Sequence, residues 1–163
     1  MAVLLLGTLA APRTAEAAEA TVTAGTTSNF AILAGQTITN TGSTEVTGDI
    51  GLHPGTEVPG KEDVVLTGEW HLADAVALTG KNDLVTAYND AASRTPEIIS
   101  RELGGQTLTP GVYTSNEKDF ILTGELVLDG EGDPDAVFIF QTDTTLITGS
   151  ASTVVLTNGA TPC

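Results

Sequence analysis

Residues 120–157 read FILTGELVLDGEGDPDAVFIFQTDTTLITGSASTVVLT. Short apolar blocks begin near Phe120, Ala136 and Val154, with Leu126-Val127-Leu128 and Leu146-Ile147 between them. Gly, Asp, Ser and Thr separate the blocks, as turn chemistry requires. The three leading blocks stand about 16 to 18 residues apart, which suits one coil of a three-sided β-helix with a strand of a few residues on each side.

Upstream, residues 26–50 repeat the pattern. Phe30 and Ile32, then Thr37-Ile38-Thr39-Asn40, alternate apolar with polar, the period-2 sign of strands with one buried face. Gly42, Gly48, Gly51 and Gly55 are expected at turns, and Pro110-Gly111 is a turn dipeptide with Pro fixing φ and Gly allowing φ > 0. From Leu72 to Arg94 the period changes. Ala73, Val76, Ala77, Gly80, Leu84, Ala87, Tyr88 and Ala91 form one apolar helical stripe opposite Lys81, Asp83 and Asp90. Gly80 costs about 1 kcal/mol inside a helix, so a close approach to a neighbouring backbone is expected there. Thr95-Pro96 ends the helix, because the residue before Pro avoids the α region. Such a helix of small residues predicts a cover for one apolar side of the coils.

Composition agrees. Apolar residues make up 40% of the 163, enough for a core, but aromatics are only 4%, so the core must rest on Val, Leu, Ile and Ala in thin layers. The 27 Thr and 18 Gly favour strands and tight turns. A formal net charge of −15 argues against nucleic-acid and anionic-membrane partners, both of which need Lys and Arg. It fits a soluble, monomeric, extracytoplasmic protein. The single Cys163 permits no intrachain disulfide.

Residues 1–20 read as a secretory signal peptide without its basic n-region: an apolar run from Ala2 to Ala11, too short to span a bilayer, then Ala15-Glu16-Ala17 as the small-residue cleavage site. The mature domain is expected over 21–163, with no membrane insertion once the leader is removed.

Several segments together resemble the ice-binding-protein-like family of secreted β-solenoids. They are Asn29-Phe30-Ala31-Ile32-Leu33-Ala34-Gly35, Thr47-Gly48-Asp49-Ile50-Gly51, Ala87-Tyr88-Asn89-Asp90-Ala91-Ala92 and the run from Glu102 to Tyr113. Leu126 to Gly130, Ala136 to Gln141 and Val154 to Ala160 complete the set. The resemblance implies a mainly β fold, a right-handed β-helix of triangular cross-section with one long α-helix packed alongside. It also implies that the family domain continues past Cys163, and that the partner is the ice surface with its ordered water, with no cofactor.

The site motif that the resemblance implies is Thr, then Ala or Gly, any residue, then Thr or Asn. Thr41-Gly42-Ser43-Thr44 fits it. Thr148-Gly149-Ser150-Ala151 fits except at its fourth position, and Thr123-Gly124-Glu125-Leu126 fails. Expected ice-binding residues are therefore Thr41, Gly42, Ser43, Thr44, Thr148 and Ser150. Thr rows on stacked strands would offer methyls and hydroxyls about 4.8 Å apart across strands and about 6.6 Å along them. A preformed grid loses little ordering entropy on binding. Glu45 and Glu125 depart from this chemistry. Thr37, Thr39, Thr107, Thr109, Thr142, Thr144 and Thr145 read as ordinary strand residues facing solvent.

The remaining candidates favour structure over chemistry. His53 and His71 lack a Cys or a spaced second His, so no metal site is expected. Asp129-Gly130-Glu131-Gly132-Asp133-Pro134-Asp135 lacks the twelve-residue calcium pattern and reads as a solvated acidic turn. Trp70 reads as packing. No nucleophile–base pattern stands out and a sugar cleft would need more rings, so no enzyme is expected. A cell-envelope or adhesion module built on the same solenoid is the alternative, favoured if charges interrupt the flat face.

Overall fold

A computed structural model describes residues 19–162. A 3-10 turn at Gly25–Asn29 leads into β1 (Phe30–Ala34), β2 (Thr44–Thr47), β3 (Asp49–Leu52), β4 (Val64–Thr67) and β5 (Trp70–Leu72). The helix α1 (Ala75–Ser93) follows. After it come β6 (Glu97–Ile99), β7 (Thr107–Leu108), β8 (Gly111–Ser115), β9 (Phe120–Leu122), β10 (Glu125–Asp129), β11 (Phe138–Phe140), β12 (Leu146–Thr148) and β13 (Thr153–Thr157). The molecule is mainly β with one long helix.

Every strand pairing is parallel. Parallel neighbours cannot be joined by a two-residue hairpin, so the chain must travel away and return between them. Here it travels through other strands. From β8 it passes β9 and β10, then lays β11 on β8, β12 on β9 and β13 on β10. Thr44 stands beside Val64 and Ile50 beside Trp70, a step of 20 residues. Phe120 stands beside Leu146, Gly111 beside Phe138 and Leu126 beside Val154, steps of 26, 27 and 28. A step of 18 does join Ile32 to Ile50 and one of 16 joins Ile98 to Thr114, but at the Phe120, Ala136 and Val154 blocks the expected repeat of 16 to 18 is corrected. It measures between blocks on different sheets, because the acidic turn at 129–135 and the stretch 141–145 lengthen the return path.

Other local expectations also change. Gly51 lies inside β3, where an added Cβ would sit 2.7 Å from the Phe30 ring and 2.6 Å from Leu33, so it makes room for side chains and turns nothing. Gly111 begins β8. Residues 37–40 form no strand, only a bridge from Thr37 to Glu57 and two amide bonds, Ile38 to the Glu57 carbonyl and Asn40 to that of Pro59.

The core fills the space between β7–β10 and their neighbours. Leu103, Leu108, Tyr113, Phe120, Leu122, Leu126 and Leu128 are buried together, with Ile99, Phe138 and Phe140 against them. Each fully buried side chain of this size contributes about 1.5–3 kcal/mol. The few rings are concentrated here: Phe120 meets Phe140 edge-on at 5.8 Å and Tyr113 meets it at 5.7 Å. The sequence predicts a core of Val, Leu, Ile and Ala with few rings; that those rings gather at one place is a finding of the structure. The Tyr113 hydroxyl donates to the Thr109 carbonyl at 2.5 Å, so burying it leaves no unpaired polar group.

Helix α1 begins where Asp74, in extended conformation, accepts the Ala77 amide at 2.8 Å. That amide and then His71, whose Nδ1 lies 2.8 Å from the carboxylate, hold the Asp74 carboxyl below its ordinary value. His71 thus serves the helix start, and Trp70 packs under Lys61, whose Nζ is 4.5 Å above its ring. The helix stops before Thr95-Pro96 as the sequence predicts. Its seam is narrower than expected: Ala77 and Gly80 are buried and Leu84, Ala87 and Ala91 half-buried, while Val76 and Tyr88 are exposed. At Gly80 the close neighbour is a side chain, since a Cβ would stand 2.6 Å from the Phe30 ring. Thr27 Oγ1 donates to the Gly80 carbonyl at 3.0 Å.

The segment before β1 is fastened along the helix. Asp83 accepts from the Thr26 amide at 2.8 Å and hydroxyl at 2.7 Å, and these bonds hold its carboxyl below the ordinary value. Arg94 donates to the Ala20 carbonyl at 2.5 Å and to Glu19 at 3.3 Å. The leader expected over 1–20 otherwise lies outside the described residues.

Candidate functional site

The six residues expected to form a site fall on two separate sheets. Thr41, Gly42 and Ser43 are exposed in the turn ahead of β2, with Gly42 at φ +79°, a left-handed value that suits glycine. Thr44 opens β2 half-buried, and its hydroxyl donates to Asn40 Oδ1 at 2.7 Å. Asn40 Nδ2 in turn reaches the Gly42 carbonyl at 2.9 Å and the Gly60 carbonyl at 3.2 Å. This motif therefore staples one coil to the next, and the Thr44 hydroxyl proton is already used.

Thr148 ends β12, on the β9–β12 sheet. Its partner in register is Leu122, a core residue, so Thr148 occupies an inward row, and it is exposed because β12 is the edge strand. Ser150 is exposed in the turn beyond it. The β2 turn and the β12 end do not share a sheet.

What the register does assemble is a set of outward rows that motif matching missed. On β2–β4, Thr47 stands beside Thr67 and Glu45 beside Val65, all four exposed. On β7–β10–β13, where Leu126 and Leu128 point into the core, the intervening positions point out. Thr107, Val127 and Val155 form one row, flanked by Glu125 with Thr153 and by Asp129 with Thr157. Eight of these outward residues are Thr or Val, stiff at χ1 and therefore preset in position. One sequence signal could have found the first pair: Thr47-Gly48 and Thr67-Gly68 repeat at the step of 20 that joins β2 to β4.

Three carboxylates, Glu45, Glu125 and Asp129, interrupt the rows. Asp129 is engaged locally, accepting the Glu131 amide and Asn158 Nδ2 at 2.9 Å each, which makes the 129–135 stretch a closed acidic turn. Among the described residues no group of three or more His, Cys, Asp or Glu could hold a metal ion, and no helix is long and apolar enough to cross a membrane.

An all-parallel ladder whose outward rows carry Thr and Val defines the class: a coiled-strand protein with a preset, hydroxyl- and methyl-bearing surface. Residues 32–163 match the Ice-binding-like family, and the chain belongs to it. An ice-binding protein of Nostoc sp. (strain HG1) is 44% identical over 140 residues, covering 85% of this chain and 52% of its own length. The crystal structure of an ice-binding protein from an Antarctic biological consortium superposes with a TM-score of 0.83 at 41% identity, covering 93% of this chain and 69% of that one. That of the ascomycete Antarctomyces psychrotrophicus gives 0.78 at 34%, covering 85% and 69%. This chain thus spans about half the length of the Nostoc relative.

Proposed function

We propose that this protein is a secreted, non-enzymatic ice-binding protein that adsorbs to ice through a flat Thr-bearing face and restrains ice growth and recrystallisation. The coils wind as a right-handed β-helix of triangular section, and the protein works as a monomer without a cofactor. The observation that carries the reading is the register-matched, exposed Thr47–Thr67 pair in a chain of this family. Paired Thr side chains about 4.8 Å apart on a rigid backbone can hold water in fixed places, with methyls discouraging a disordered shell. Thr41 and Ser43 border that sheet and extend the face. Thr44 contributes by fixing the turn, and Thr148 with Ser150 forms a second, smaller patch.

The test is grain growth in frozen solution. The protein at micromolar concentration is expected to hold grains at their initial size, while unchanged coarsening contradicts the proposal.

The carboxylates at Glu45, Glu125 and Asp129 favour a second reading, an envelope or adhesion module that uses the ladder as a spacer. Under that reading grains coarsen unchecked and the protein is retained on cell-envelope material.

A further inference from the structure

Three of the six ion pairs among the described residues belong to one ring, that of His71. His71 lies in β5 with its side chain 12% exposed. Its register partner in β3 is Gly51, and across that position, which has no side chain, the ring meets Phe30 of β1 nearly at right angles, with centroids 5.8 Å apart. Nδ1 stands 2.8 Å from Asp74 Oδ2. An ionised carboxylate only accepts, so Nδ1 carries a hydrogen in either charge state of the ring. The other nitrogen is where a proton can come and go. Nε2 lies 3.8 Å from Asp49 Oδ2 and 3.9 Å from Glu69 Oε2. In the neutral ring a lone pair faces these oxygens, and in the cation an N–H faces them. Proton uptake therefore turns the contact from repulsive to attractive.

The charges around the ring agree in sign. Asp49 comes from β3, Glu69 from the turn ahead of β5 and Asp74 from the cap of α1. Among the described residues none of the three pairs with a Lys or Arg, and Lys61 is engaged above the Trp70 ring. Asp49, 30% exposed, is the stronger partner of Nε2, because Glu69 at 81% is largely screened by water. The N-terminus of α1 opposes a cation, but it carries only about half a positive charge against three carboxylates. These groups sit at corners of the fold. Asp49 and Glu69 each stand two residues after a Thr, in Thr47-Gly48-Asp49 and Thr67-Gly68-Glu69, and Asp49 Oδ1 accepts the Glu69 amide at 2.9 Å. Asp74 holds the Ala77 amide of the helix. One ring thus touches two successive coils and the helix start.

We propose that His71 is a proton-operated clasp: a proton taken up at Nε2 draws the corners at Asp49 and Glu69 onto the ring while Nδ1 keeps hold of Asp74, tying β3, β5 and α1 together. The clasp adds stability while the ring is charged, and that contribution is lost as pH rises and the proton leaves. Imidazole side chains ordinarily change charge between about pH 5 and 8 and carboxylates near about pH 4, which leaves an interval in which ring and carboxylates are charged together. The lowered Asp74 carboxyl keeps its charge at the acid end of that interval.

The test compares urea unfolding of the 163-residue chain, of His71→Gln and of a double variant carrying Asp49→Asn and Glu69→Gln, each at about pH 5.5 and about pH 8. From the lower to the higher pH the unfolding constant of the parent is expected to rise at least about fivefold more than that of either variant. The double variant leaves the His71–Asp74 bond and an acceptor for the residue 69 amide in place, so it reads the clasp even where His71→Gln folds poorly. Nitrogen NMR of the ring supplies a signature that packing alone would not: a cation at the lower pH and, at the higher, a neutral ring with its hydrogen on Nδ1. Equal pH dependence in parent and double variant, or a neutral ring with its hydrogen on Nε2, overturns the proposal. Neither readout involves ice.

Discussion

Phe120→Ala is expected to destabilise the fold by about 3–5 kcal/mol, the range for deleting a buried ring from a packed interior. The side chain is fully buried in the largest core cluster, edge-on to Phe140, and stacked in register with Leu146. Its backbone is held on both sides, with its amide bonded to the Thr145 carbonyl and that of Ile121 to Arg101, so the coil cannot easily collapse into the space. Domains of this size are stable by only about 5–15 kcal/mol, so such a loss consumes a large share of the total. Phe120→Leu should cost much less, because it keeps most of the volume. Urea titration followed by circular dichroism checks both. A cost below about 1 kcal/mol for Phe120→Ala would mean that the core is not centred on this ring.

Gly104→Ala is expected to cost about 1–3 kcal/mol, as over-packing does in a tight interior. A methyl on Gly104 would land on the Thr123 carbonyl oxygen and come within 2.8 Å of Glu102 Oε1. That oxygen joins two successive coils, accepting the Gly104 amide at 2.7 Å and the Thr123 amide at 2.9 Å. The two amides hold the Glu102 carboxyl below its ordinary value, Thr123 contributing most. The methyl therefore pushes the coils apart where a shared acceptor pulls them together. Gly35→Ala is the control, since nothing lies within 4 Å of the added atom, and should stay within about 0.5 kcal/mol of the parent. Equal melting temperatures for the two variants would contradict this packing.

Much of the fold was legible because hydrophobic period and turn residues are local signals. The helix was placed within three residues at its start and one at its end, since small apolar residues at helical spacing and Thr95-Pro96 leave little choice. The Asp74 cap was missed because the stripe was traced back to Ala73, a residue that instead adopts φ +53° outside the helix. The coil step of 16 to 18 holds between β1 and β3 and between β6 and β8 but not at the Phe120, Ala136 and Val154 blocks, because the step depends on loop lengths and a regular spacing between blocks on different sheets looks the same in one dimension as a repeat. The proposed site was less legible. A four-residue motif marked Thr44, yet whether its hydroxyl faces water or Asn40 is decided by a partner four residues away and by the next coil at Gly60. The outward pair Thr47–Thr67 depends on register, which only pairing across 20 residues fixes.

Stacked strands that hold Thr side chains in fixed outward rows are the physical centre of the proposal, and partition into a slowly growing ice hemisphere tests it most directly. Thr47→Tyr and Thr67→Tyr place a ring where two hydroxyls now stand in register, whereas Thr79→Tyr alters an exposed position on the helix, away from that sheet. The unaltered protein and Thr79→Tyr should enter the ice equally. The two face variants, with unchanged melting temperatures, should be excluded at least tenfold more. Equal uptake by all four would show that ice contact, if it occurs, does not use this face.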